Sequence, residues 1–139
     1  MRILGLDLGE RRVGVAVSDP GGTIAHPLCR FEPAGRRDLV ETVARMVREQ
    51  AAERVVVGYP LHADGTRGQQ ARRTDAVVQA LRDALAVRVA VWDERFSTQE
   101  AEAALRQGGL GPDRRKARRD MVAAALILQA YLDAGAPLA

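Results

Sequence analysis

The rhythm of apolar and polar positions changes about a quarter of the way along this chain. Up to Phe31 the pattern is of short apolar runs, at residues 2–8, 12–18 and 23–31, separated by Gly9-Glu-Arg11 and Pro20-Gly-Gly22. Runs this short with connections this tight predict three strands in an antiparallel meander. Beyond Phe31 the period lengthens. Leu39, Val40, Val43, Met46 and Val47 recur at helical spacing, a strand follows at 54–58, a helix at about 68–85 and a further strand at 87–93. Helices between short apolar strands imply parallel pairing. Ser97 with Glu100 forms a capping box for a helix reaching Gln107, which Gly108-Gly109 and Gly111-Pro112 end, and a last helix is expected from about Lys116 to Ala134. The order β-β-β-α-β-α-β-α-α predicts an α/β fold: a five-stranded mixed sheet, three antiparallel strands plus two parallel, flanked by helices. No repeat, low-complexity stretch or linker interrupts the 139 residues, so one domain over 1–139 is expected.

Composition narrows the class of protein. With 47% apolar and 28% charged residues, and no apolar run near the ~18 needed for a membrane span, the chain reads as a globular protein without membrane attachment. The N-terminus is already a strand rather than a signal peptide, and Cys29, the single cysteine, permits no intrachain disulfide. A reducing cytoplasm is the compartment these features fit, with Cys29 a small buried hydrophobe. The formal charge of +3 is modest, but its distribution is uneven. Arg106, Arg114, Arg115, Lys116, Arg118 and Arg119 face only Asp113 between residues 106 and 119, six cations against one anion, a local excess of five. That exceeds the charge of the whole molecule and points to a polyanionic partner; a solvated helix face is the plainer reading.

Three acids carry the candidate chemistry. Asp7 stands inside a buried-looking strand, where an unpaired charge would cost several kcal/mol. Asp93-Glu94 ends another apolar strand, at the edge where open α/β sheets place their ligands. Adjacent strand side chains point to opposite faces, so one of this pair reaches the crevice, and the pattern does not say which. Asp120 opens an apolar, alanine-rich helix and shares a stripe with Ala123, Ala124 and Ile127. Three carboxylates converging on one crevice call for an oxygen-seeking divalent cation, Mg²⁺ or Mn²⁺. Each has a plainer role too: Asp7 a turn cap, Asp93 a partner of Arg95, Asp120 an acid near a helix N-terminus. Gly5, Gly9 and Gly14 leave the backbone around Asp7 open, as close approach of a phosphate or hydrated metal would need. Arg11 or Arg12 could clamp a phosphate. Lys116 could pair with Asp120 or hold a phosphate, and the loop Gly58–Thr66 is placed to touch substrate. His62 is a weak ligand candidate, Asp64-Gly65 a turn, and Tyr59 and Trp92 flank the expected cleft, Trp92 chiefly for packing.

The element order is that of a ribonuclease H-like domain, an analogy of fold. The residues add a closer likeness. Gly5-Leu-Asp-Leu-Gly9, Arg12-Val-Gly-Val-Ala-Val-Ser-Asp19, Val57-Gly-Tyr-Pro-Leu61 with Asp64-Gly-Thr66, Asp93-Glu-Arg95 and Asp120-Met-Val-Ala-Ala124 with Ile127-Leu-Gln129 resemble, in order and over nearly the whole chain, the YqgF/RuvX family of Holliday junction resolvases and pre-16S rRNA nucleases. The resemblance implies a cytoplasmic ribonuclease H-like endonuclease that matures the 5′ end of 16S ribosomal RNA and also acts on branched DNA. Carried onto this chain, the family's acids fall on Asp7, Glu94 and Asp120. Four residues depart from the family pattern: His62 replaces Asn, Phe96-Ser97 replaces Leu-Thr, and Arg119 replaces an apolar residue. None removes a carboxylate.

The expected mechanism is phosphodiester hydrolysis by a metal pair, with Asp7, Glu94 and Asp120 as ligands and catalytic residues. Arg11, Arg12, Arg95, Arg114, Arg115, Lys116, Arg118 and Arg119 are the expected substrate-binding set, for a structured rRNA precursor or branched DNA, with the ribosomal subunit a further expected partner and the protein a monomer or weak homodimer. A nucleic-acid or ribosome-binding factor with a silent site is the first rival. A sugar-kinase-like phosphotransfer domain, which begins with a similar Asp-x-Gly strand, is the second, and it requires two such domains.

Overall fold

The structure is a computed structural model that describes residues 1–60, 68–93 and 112–137, with the side chains of 112–120 outside that description. Five strands form one sheet: β1 (Ile3–Leu8), β2 (Val13–Ser18), β3 (Ala25–Phe31), β4 (Arg54–Tyr59) and β5 (Arg88–Asp93). Their order across the sheet is β3-β2-β1-β4-β5, with β1–β2 and β2–β3 antiparallel and β1–β4 and β4–β5 parallel. β2 therefore runs against the other four, as the mixed sheet expected from the sequence requires. Three helices are described, α1 (Arg36–Glu49), α2 (Gln69–Ala84) and α3 (Pro112–Asp133). The helix expected at 97–107 lies outside the described residues.

Strand alternation divides the core into two layers. Leu4, Leu6 and Leu8 of β1 and Val55 and Val57 of β4 pack with Leu39 and Val43 of α1 and Val77, Val78 and Leu81 of α2. Ile3, Ala16, Val56 and Ala90 face the other way and pack with Ala124, Ala125, Leu128 and Tyr131 of α3. Cys29 is half-buried against the first layer, where burial pushes its thiol pKa up, in keeping with an inert apolar role. β3 is an outer strand, and Pro27 sits at its irregularity opposite Val15 and Ala16, where a missing N–H costs no ladder bond.

α3 begins four residues earlier than the sequence pattern suggests. Gly111-Pro112 was expected to close the preceding helix; instead Pro112 is the first residue of α3. Proline suits that position because its fixed φ is already helical and its absent N–H would have no intrahelical partner. At the other end Gly135, with φ of 90°, and the Ala136 N–H donating to the Tyr131 carbonyl at 2.9 Å terminate the helix.

Candidate nuclease site

Asp7 stands one residue from the end of the central strand. Its parity is that of Ile3 and Gly5, so its half-buried side chain lies on the α3 face of the sheet. Its cross-strand partner on β2 is Gly14, and the β1–β4 register, continued one step beyond Leu6–Val57, brings Gly58 beside it on β4. The carboxylate thus has no side chain flanking it on either neighbouring strand. Gly58 is a contributor the sequence reading did not single out, because only the register shows that it adjoins Asp7.

Two other glycines near Asp7 serve structure. A Cβ at Gly5 would stand 2.8 Å from Leu128 Cβ and 3.3 Å from the Ala124 carbonyl oxygen, so the expected open space there is filled by α3. A Cβ at Gly9 would stand 2.7 Å from the Arg12 carbonyl oxygen, which accepts the Gly9 N–H at 2.8 Å to close the β1–β2 turn. Opposite Asp7's face, the Leu8 carbonyl accepts the Gln70 amide at 3.0 Å, which ties the start of α2 to the end of β1.

The direction of α3 follows from contacts near its C-terminus. Tyr131, fully buried, accepts a hydrogen bond from Arg54 at 3.1 Å and donates to the Pro137 carbonyl at 2.6 Å, while Arg54 also donates to the Ala136 carbonyl at 2.7 Å. Gln129 accepts the Ala25 N–H at 2.9 Å and donates to the Thr23 carbonyl at 3.0 Å. Arg54 and Ala25 open β4 and β3, so α3 runs antiparallel to the parallel strands and its N-terminal half lies toward their carboxyl ends. From Ala124, seated on Gly5, the four residues back to position 120 advance about 6 Å. Two residues from Gly5 to Asp7 advance about 6.6 Å in the same direction. The close seat at Gly5 therefore sets position 120 of the helix level with Asp7.

The end of β5 divides its residues between the faces. Val89 and Val91 pack in the α1/α2 layer, Ala90 and Trp92 in the α3 layer. Asp93 continues the first set and so lies on the face opposite Asp7. Trp92 meets Tyr131 edge-on, with ring centroids 5.9 Å apart and an interplanar angle of 73°, a packing contact worth about 1 kcal/mol. Tyr59 does not flank Asp7: its phenol donates to Asp75 Oδ1 at 2.8 Å on the α2 side. Glu94, Arg95, His62 and the 61–67 loop lie outside the described residues, as do the side chains of Arg114, Arg115, Lys116, Arg118, Arg119 and Asp120, although α3 carries these last six positions. Arg11 is exposed in the β1–β2 turn and Arg12 half-buried at the start of β2. Among the described residues no three His, Cys, Asp or Glu side chains gather, and Asp7 is the described member of the expected triad.

Among curated relatives, one from Syntrophus aciditrophicus, provisionally named a pre-16S rRNA nuclease, is 44% identical over 96% of this chain and 89% of its own length. Another with the same name, from Syntrophomonas wolfei, is 42% identical over 97% of this chain and 96% of its own. Among solved structures, Thermus thermophilus RuvC in complex with a Holliday junction substrate aligns over 99% of this chain and 98% of its own with a TM-score of 0.64 at 18% identity. The Fowlpox virus resolvase with Holliday junction DNA aligns over 99% and 100% with a TM-score of 0.60 at 12% identity. These structures establish the fold as ribonuclease H-like, the fold expected from the element order. The model of the RuvX family, described as Holliday junction resolvase, matches residues 1–134, and the chain belongs to that family.

Proposed function

We propose that this protein is a divalent-metal-dependent endonuclease that hydrolyses nucleic-acid phosphodiester bonds, acting in 5′-end processing of pre-16S rRNA and able also to cut Holliday junction DNA. The observation that carries this reading is the placement of Asp7: half-buried, flanked by Gly14 and Gly58, and level with position 120 of a helix seated on Gly5. A carboxylate at the carboxyl end of a central strand, with glycines opposite it on both neighbouring strands, is a hard oxygen donor of the kind that suits Mg²⁺ or Mn²⁺. Asp7, Glu94 and Asp120 would hold the metal. Glu94 is preferred to Asp93 because the register carries Asp93 to the face away from Asp7. When bound, the metal supplies Lewis acidity to the attacking water and countercharge to the leaving 3′-oxygen. The chain's own part is to hold the acids on rigid elements and to bring the substrate backbone to Asp7, with Arg12, Arg95 and the basic positions 114–119 of α3 supplying cations. The names of the curated relatives support the rRNA substrate, and the family description supports the junction.

The test is cleavage of a precursor 16S fragment and a four-way junction, side by side, with and without Mn²⁺. The wild type should cut in a metal-dependent manner, and Asp7→Asn should lose on the order of 100-fold in rate or more. Salt-sensitive binding with no cutting of either substrate would identify a silent binding factor instead.

A further inference from the structure

On the face of the sheet away from Asp7, but at the same edge, an open cleft of about 690 Å³ lies between the β1–β2 turn, the β3–α1 connection, the first turn of α1 and the Arg73–Val77 stretch of α2. Three separate elements each send one arginine to it: Arg11 from the turn, Arg36 from α1 and Arg73 from α2. Leu39 and Val77 give the cleft apolar lining, and Glu10 and Glu32 line it as well. Among the described residues none of the three guanidinium groups has a hydrogen bond or an ion pair, although two carboxylates line the same cleft. The ion pairs that α1 does form, Arg37–Glu41 at 3.2 Å and Arg45–Glu49 at 3.1 Å, leave Arg36 out. Cations converging on a concave, low-dielectric floor focus a positive potential and favour a phosphate, which a guanidinium grips in bidentate fashion.

The position of this cleft relative to Asp7 selects the ligand. Arg11 is four residues from Asp7, so their Cα atoms are at most about 14 Å apart. Along one strand of a duplex phosphates recur about every 3.4 Å of axis, so a backbone crossing Asp7 and turning over the β1–β2 hairpin reaches the cleft within about four nucleotides. Arg11 lines the cleft, and the next residue, Arg12, leads into β2. We propose that the cleft anchors the substrate's phosphodiester backbone a few nucleotides from the scissile bond, through Arg11, Arg36 and Arg73. This rests on the nuclease reading above and adds a second contact to it.

The experiment measures binding of the labelled precursor fragment and junction by fluorescence anisotropy in Ca²⁺, across a salt series, for wild type, Arg36→Ala/Arg73→Ala and the charge-matched control Arg37→Ala/Arg45→Ala. All four arginines are exposed, and thermal melting checks that each variant folds. Two lost phosphate contacts should reduce the slope of log K against log salt by about 1.4 to 1.8 and lower affinity on the order of tenfold at low salt. The control should change the slope far less. Equal slopes for the two double variants, or an Arg36→Ala/Arg73→Ala slope equal to wild type, overturn the anchor and leave the nuclease reading standing. Failure of the wild type to bind either nucleic acid sinks the nuclease reading, and the anchor with it. Calorimetry with inorganic phosphate and AMP covers the other source of a phosphate. Binding there that depends on Arg36 and Arg73, with no change in the polynucleotide slope, would reassign the cleft to a small phosphorylated ligand and overturn the proposal.

Discussion

At the scale of single residues, the site is shaped by side chains that are absent as much as by those present. Gly14 and Gly58 stand opposite Asp7 on the two neighbouring strands, while Gly5 admits the backbone of α3. Gly5→Ala tests that second role. A Cβ 2.8 Å from Leu128 Cβ must push strand and helix apart, which should destabilise the fold by about 1–3 kcal/mol, measured by urea unfolding. Because position 120 rides on the same seat, cleavage should fall by more than the loss of folded protein explains. An unaltered melting curve and rate would mean that α3 is not set by this contact.

At the scale of elements, α3 is positioned by its far end. The Tyr131 hydroxyl joins Arg54, at the start of β4, to the Pro137 carbonyl, and Gln129 holds the connection before β3. These bonds fix how far the helix extends toward the carboxyl ends of the strands, more than 10 Å from Asp7 by the rise per residue between positions 120 and 131. Tyr131→Phe keeps the ring packed on Trp92 but removes two part-buried hydrogen bonds, to Arg54 and to the Pro137 carbonyl. It should cost about 1–2 kcal/mol in denaturant unfolding. A loss below about 0.3 kcal/mol would show that the clamp contributes little to holding α3.

At the scale of the whole molecule, the sheet, its mixed pairing and the two helical layers were legible in the sequence because period-2 apolar runs and helical stripes are local signals. The start of α3 was not: Gly111-Pro112 serves equally well to end one helix or begin another, and spacing alone does not choose. The acids were legible as candidates, since a charge set within an apolar strand is costly to bury unless a cation or a donor meets it there. Their choice was not, because Asp93 and Glu94 differ only by which face a register assigns, and a register is a property of the assembled sheet. Nor did any motif mark Arg36 and Arg73, which meet Arg11 only in three dimensions. In the proposed site Asp7, Glu94 and Asp120 share a divalent ion on the α3 face, while Asp93 stands on the other. The most direct test of this arrangement is Mn²⁺ binding, followed by electron paramagnetic resonance, in wild type and in Asp7→Asn, Glu94→Gln, Asp120→Asn and Asp93→Asn. Tight binding should be lost in the first three variants and retained in Asp93→Asn; retention in Asp7→Asn, or loss in Asp93→Asn with retention in Glu94→Gln, would contradict the account.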